Sequence, residues 1–181
     1  MPLAVIESYA NSVGIDRLVA AYAAVSLEKV AEPLIIVDAG TAVTIDVVSG
    51  QSSGQPRQFE GGVIFPGVGA SLSVLNSATA DLPDVALSSA SLKESDTVEG
   101  VVGTQTDMAI ANGVCLAQGH AVGGIVDALK KRLPEAKVWI TGGGAESIVS
   151  VLPDATTDVW QVDAQLVLRG AAVIGRQLDH E

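Results

Sequence analysis

Apolar residues at Ile15, Leu18, Val19, Tyr22 and Val25 recur at helical intervals and predict a helix over 15–30, closed by Pro33. The β-branched run 34–37 reads as a buried strand. Over 42–48 the period changes to two: Val43, Ile45 and Val47 fall on one strand face, Thr44 and Asp46 on the other. Residues 59–65 predict a third strand, and helices follow around 68–78 and 104–133. A strand at 137–140, a helix at 145–152, a strand at 158–162 and a helix at 165–177 complete the pattern. Two stretches interrupt it as loops: the polar SGQSSGQPRQ at 49–58, and the serine- and charge-rich segment 88–97. Three consecutive strands followed by alternating helices and strands predict an α/β fold on a mixed sheet.

Composition narrows what such a fold can do. At 181 residues the chain can bury one sizeable core, and a hydrophobic content of 48% excludes intrinsic disorder. Ten basic residues against 21 acidic ones leave a net charge of −11, which argues against a nucleic-acid or anionic-membrane surface. An anionic ligand then needs a local site, because the global field repels it. One cysteine, Cys115, excludes an internal disulfide framework, and two histidines beside it leave too few ligands for zinc. The opening MPLAVIESYA has no basic leader, and no stretch approaches the roughly eighteen uninterrupted apolar residues of a membrane span. A cytoplasmic chain is expected.

Three short segments could carry chemistry. In DAGTAVTID, Asp38 ends a buried strand, Gly40 permits a turn with positive φ, and Thr41 offers a hydroxyl and a backbone N–H. That suits phosphate cradling, although Asp38 would repel a phosphate unless a cation lay between them. An ordinary tight hairpin with a turn aspartate explains the same residues. In GIDR, Asp16 could take a proton from a hydroxyl while Arg17 grips a carboxylate, or Asp16 could simply cap the helix. In TGGG, Gly142 and Gly143 let a planar ligand approach the backbone, or form an unliganded connector; Ser147 breaks the dinucleotide fingerprint. His120 reads as a solvated or core histidine and Cys115 as a buried, inert thiol. Neither a G-x-S-x-G elbow nor a Walker A sequence is present.

Taken in order, these segments resemble the type III pantothenate kinase family, which includes Bvg accessory factor-like proteins. The resemblance rests on GIDR at 14–17, DAGTAVTID at 38–46 and EGGVIFPGVGASLSVLNSATADLP at 60–83. It continues through GTQTDMAIANG at 103–113, TGGG at 141–144 and QLVLRGAAVIG at 165–175. It implies an RNase H-like, actin-like ATPase fold of the sugar-kinase superfamily, of which this chain carries the carboxy-terminal half with its mixed sheet. It also implies transfer of the γ-phosphoryl of ATP to the primary hydroxyl of pantothenate, opening coenzyme A synthesis. Mg²⁺, a monovalent cation (K⁺ or NH₄⁺) and a homodimer come with that activity. Carried over by motif, Asp16 is the catalytic base, and Gly14, Ile15, Arg17 and Tyr9 line the pantothenate pocket with Thr106. Asp38 becomes the monovalent-cation ligand, and Gly40, Thr41, Gly142 and Gly143 face ATP.

The departures shape the expectation. Family members open with a D-x-G-N-T turn that holds the ATP phosphates, and this chain has only DAGT. Residues 1–30 are therefore expected to be a remnant of an amino-terminal half bearing the GIDR helix, with 31–181 the RNase H-like ATPase domain. Gln105 replaces the family's Asn in GxNT, Tyr9 stands two residues closer to Gly14 than is usual, and the 49–58 loop is longer. Three functions follow: a kinase whose other half is supplied separately, a non-catalytic pantothenate-binding module, or an accessory-factor-like regulator acting through protein partners.

Overall fold

Leu34, Ile35, Ile36 and Val37 are all buried, so the strand carrying them has packed neighbours on both faces. The computed structural model describes residues 3–5, 11–28, 31–52, 55–86, 101–152 and 160–178. Among the described residues six strands form one mixed sheet: β1 (Leu3–Val5), β2 (Leu34–Ala39), β3 (Ala42–Val48), β4 (Arg57–Pro66), β5 (Lys137–Thr141) and β6 (Trp160–Val162). Their order across the sheet is β1-β4-β3-β2-β5-β6. β2–β3 and β3–β4 are antiparallel, while β1–β4, β2–β5 and β5–β6 are parallel. The α/β class and the mixed sheet expected from the sequence are both present.

Two layers of helix cover the sheet. On one face α1 (Ile15–Leu27) and α5 (Leu166–Leu178) enclose Leu34, Ile36, Val48, Phe59 and Trp139. On the other, α3 (Thr106–Lys130) and α4 (Ala145–Val149) enclose Ile35, Val37, Val43, Ile45, Val138 and Ile140. The alternation along β2 thus feeds two separate cores. Ala20, Ala21, Ala23 and Ala24 give α1 a low-profile buried face, and Gly170 of α5 lies so close to the Val19 carbonyl that a side chain has no room. α2 (Val68–Ala78) packs on α3 through a third, smaller cluster of Val68, Leu72, Ile110 and Cys115.

Helix α3 is long and apolar enough to cross a membrane by length and composition, but it serves here as a core helix with Val122 and Val126 fully enclosed. Residues 3–5 do not stand apart from the rest: β1 extends the sheet at β4, and α1 packs on α5 and β2. Between Val47 and Val48 the register of β3 on β4 slips, and Gly61, with φ 109°, absorbs the bulge. The segment 88–97, expected as a loop, lies outside the described residues.

Candidate active site

Cross-strand pairing decides which side chains meet. Asp38 lies opposite Thr44 on β3 and Thr141 on β5; one row deeper, Asp46 lies opposite Ile36 on β2 and Gly62 on β4. Leu34 and Ile36 face α1, so the two-residue period turns Asp38 and Asp46 toward α1 as well. Asp38 and Thr141 end their parallel strands, at the carboxyl edge where open α/β sheets present ligands.

The start of α1 arrives over this edge. Gly14 takes the N-cap position without a side-chain cap bond, so Asp16 sits inside the first turn rather than capping it. Its Oδ1 accepts the backbone N–H of Arg17 at 3.0 Å. A Cβ at Gly14 would stand 2.5 Å from that same oxygen, so the glycine leaves the carboxylate room to fold over the helix end. The Asp16 side chain is exposed; that of Arg17 points the other way and is buried.

Arg17 is held by Asp46. Its Nε donates to both carboxylate oxygens at 3.1 Å, and a second guanidinium nitrogen forms a very short contact to Oδ1. Only 5% of Arg17 and 2% of Asp46 are exposed, so the pair is out of water on both sides. Thr44 donates to Oδ2 of Asp46 at 3.3 Å, and the guanidinium lies 5.5 Å from the centre of the Phe59 ring. Neither Asp46 nor Gly62 stood out as a site residue in the sequence. The one available signal was an acidic residue on the inward rhythm of a strand.

The charges at this edge do not balance. Burial pushes the Asp38 carboxyl above its ordinary value, and the charges of Asp16 and Asp46 push it further. Burial also raises Asp46, against the opposing pull of Arg17 and Thr44, and Asp16 adds to the rise. With Asp16 exposed, Asp38 half-buried and Asp46 paired with Arg17, the edge carries excess negative charge at Asp16 and Asp38, whose oxygens are of the type that hard cations take. Among the described residues no three His, Cys, Asp or Glu side chains converge to hold a metal ion.

The glycine turns close the edge. Gly40 N–H donates to the Ala42 carbonyl at 3.1 Å, tightening the β2–β3 turn. Contrary to expectation, Gly40 does not adopt positive φ, and a Cβ there would meet nothing nearer than 3.5 Å. The left-handed glycine is Gly142, with φ 91°, whose Cβ would stand 2.6 Å from the Ala39 carbonyl and from Oδ1 of Asp38. The next turn residue but one, Gly144, donates to that carbonyl at 2.8 Å. Asp38, Gly40, Thr41 and Gly142 therefore share one end of the sheet, with Gly143 open beside them.

Thr106 lies at the start of α3, on a cavity of about 460 Å³ between α2 and α3. Leu75, Ile110 and Val114 line it, and the Gln118 amide at its wall donates to the Pro66 carbonyl at 2.7 Å and to Ser71. Tyr9 lies outside the described residues. Cys115 is buried, and burial pushes its thiol up, as an inert cysteine requires; His120 is exposed on α3.

A family model described as type III pantothenate kinase matches residues 1–128. Among curated relatives of that name, the protein of Persephonella marina is 35% identical over 153 residues, which is 84% of this chain and 54% of the relative. That of Desulfovibrio desulfuricans is 41% identical over 142 residues, 78% of this chain and 49% of the relative. That of Caulobacter vibrioides is 32% identical over 167 residues, covering 92% and 58%. The chain thus spans about half the length of the curated relatives it matches. A solved structure from Campylobacter jejuni, assigned to the Baf family, matches 93% of this chain and 67% of its own at 24% identity and a TM-score of 0.51, a likeness of fold.

Proposed function

Because the chain belongs to the type III pantothenate kinase family, we propose that its carboxylate edge serves ATP-dependent phosphorylation of pantothenate to 4′-phosphopantothenate. The observation that carries this reading is the placement of Asp16, exposed at the start of α1, within electrostatic reach of Asp38 at the end of β2. In this reading one acid takes the proton of a hydroxyl and the other attracts positive charge.

In this reading Asp16 accepts the proton of the primary hydroxyl of pantothenate as its oxygen attacks the γ-phosphorus. The bond from that phosphorus to the β,γ-bridging oxygen breaks, and ADP leaves. Gly14, Ile15 and the main chain of Arg17 form one wall of the pantothenate pocket, while the Arg17 guanidinium stays on Asp46; Thr106, on the cavity between α2 and α3, is carried over to substrate binding from its motif. Gly40 and Thr41 face the phosphates, and Gly142 and Gly143 give ATP close approach to the backbone. Asp38 would hold a monovalent cation, and Mg²⁺ would travel with the nucleotide; such ions neutralise phosphate charge in a site that is itself acidic. The mixed sheet with helices on both faces is consistent with an RNase H-like half of an actin-like ATPase; in this reading, which the resemblance alone supplies, the protein works in the cytoplasm as a homodimer.

The test is ADP release by the 181-residue chain with ATP, pantothenate, Mg²⁺ and K⁺, beside an Asp16→Asn variant. Turnover that the variant abolishes supports the proposal. Turnover that survives the variant removes Asp16 from its role. The alternative that the sequence offers is a pantothenate-binding or regulatory module. No turnover together with calorimetric binding of pantothenate would select it.

A further inference from the structure

We propose that Asp46 is a positioning residue for catalysis: acting through Arg17, it sets the rotation of α1 and so the direction in which Asp16 presents its carboxylate. What Asp16 does at that position rests on the kinase reading above; that the pair orients it does not.

Three observations converge. First, Arg17 uses its Nε and a terminal nitrogen on one carboxylate, the forked geometry that fixes a guanidinium in direction as well as distance. Second, the sheet is shaped to receive that carboxylate. Gly62, paired with Asp46 across β3–β4, sits where a Cβ would collide with Oδ1 of Asp46 and the Ile45 carbonyl, and Thr44 steadies Oδ2. Third, Asp16 is the residue before Arg17 in the same helical turn, and its own oxygen is tied to the Arg17 N–H. The chain of contacts runs from Gly62 and Thr44 to Asp46, to Arg17 and on to Asp16.

A buried ion pair is a poor device for stability alone, since two desolvated charges do little better than well-packed apolar residues. It is a good device for orientation, and α1 needs one. Tyr22 anchors the middle of α1, but the other apolar residues buried on it are alanines, so at its first turn Arg17 is the one long buried side chain that fixes the helix end. With side-chain tips about 5–6 Å from a helix axis, a 20° rotation would move the Asp16 carboxylate by about 2 Å. Misplacement of about 1 Å at a reacting group can cost about 10²-fold in rate.

The test compares Asp46→Asn, Arg17→Lys and the double variant by steady-state kinetics with ATP and pantothenate, and by NMR of the full chain. Asp46→Asn should lower kcat by about 10²-fold and leave KM for pantothenate within about threefold. The double variant should fall no further than the worse single variant, because both remove one interaction. The Asp16 carboxyl carbon and the Arg17 Nε–H resonances should move, while amides of β2 and β5 stay in place. If Arg17→Lys instead raises KM tenfold at constant kcat, Arg17 grips substrate and the proposal falls. Should the wild-type chain not phosphorylate pantothenate, the kinase reading fails and NMR alone decides: Asp16 resonances unmoved in Asp46→Asn overturn the positioning role. Thr44→Val keeps the ion pair and removes only the 3.3 Å bond. It supplies a gentler perturbation should Asp46→Asn fail to fold, and should shift the same resonances by less; no shift overturns the proposal.

Discussion

Substituting alanine at Gly142 and, separately, at Gly143 places the same methyl group at neighbouring positions of one turn, and the structure assigns the two very different costs. Gly142 holds φ 91°, and an added Cβ would stand 2.6 Å from the carbon and oxygen of the Ala39 carbonyl and from Oδ1 of Asp38. Forcing an L-residue into that backbone region costs about 1–2 kcal/mol. Relieving contact with a main-chain carbonyl in a packed turn adds about 1–3 kcal/mol. The sum is about 3 kcal/mol, a large share of the roughly 5–15 kcal/mol that holds a domain of this size together. Gly143 has no positive φ, and nothing lies within 4 Å of an added Cβ, so alanine there should change stability by at most about 0.5 kcal/mol. In urea titrations followed by circular dichroism, Gly142→Ala should lose about 3 kcal/mol, which in a thermal melt is about 6–12 °C. Gly143→Ala should track the wild type. Equal losses in the two variants would refute the reasoning, because they would mean that the turn does not lie against Ala39 and Asp38 as described.

Two further substitutions probe other contacts. The Asp38 carboxyl titrates above its ordinary value of 3.8, so folding favours its neutral form. That contribution is complete below about pH 3.8 and is lost as pH rises through the folded value. Asp38→Asn should therefore melt higher than wild type at pH 7 in cation-free buffer, with the difference vanishing below pH 3.8; a variant that melts lower at pH 7 would refute the sign. Gly170→Ala should separate α5 from α1, because the new Cβ meets the Val19 carbonyl and stands 2.8 Å from its Cγ1. The expected loss is about 1–2 kcal/mol after the helical preference of alanine is set against the clash, and a variant as stable as wild type would show that the helices cross elsewhere.

Local patterns were the most legible part of the chain. The two-residue rhythm of VTIDV located β3 at 42–48, and the Pro-Gly turn before a helical run located α2 at 68–78. Helix α1 ends at Leu27 rather than at 30, because Glu28 turns extended to cap it, a choice no periodicity announces. The 49–58 loop is shorter than its composition implied, since Arg57 and Gln58 already belong to β4. The carboxylates Asp16 and Asp38 were visible as motif residues. Asp46 closes the same DAGTAVTID motif, but its role was hidden because its meaning depends on an arginine 29 positions away. Gly62 was hidden for a related reason: its need for space exists only once β3 and β4 are in register. The pairing of β1 (Leu3–Val5) with β4 was not legible either, since strand pairing over long separations leaves no local trace.

That last pairing bears on the order in which the molecule assembles. The strands β2, β3 and β4 follow one another as hairpins, each closing a short loop. β1 must instead bring Leu3 beside Arg57, across about fifty residues, and entropy alone makes such a closure roughly 2 kcal/mol dearer than a tight turn. β1 thus joins β4 only after the β2–β3–β4 hairpins have formed. Until it does, one side of β4 shows unpaired main-chain groups to the surroundings. Whatever competes for that rim during folding, another nascent chain included, competes with a segment of three residues.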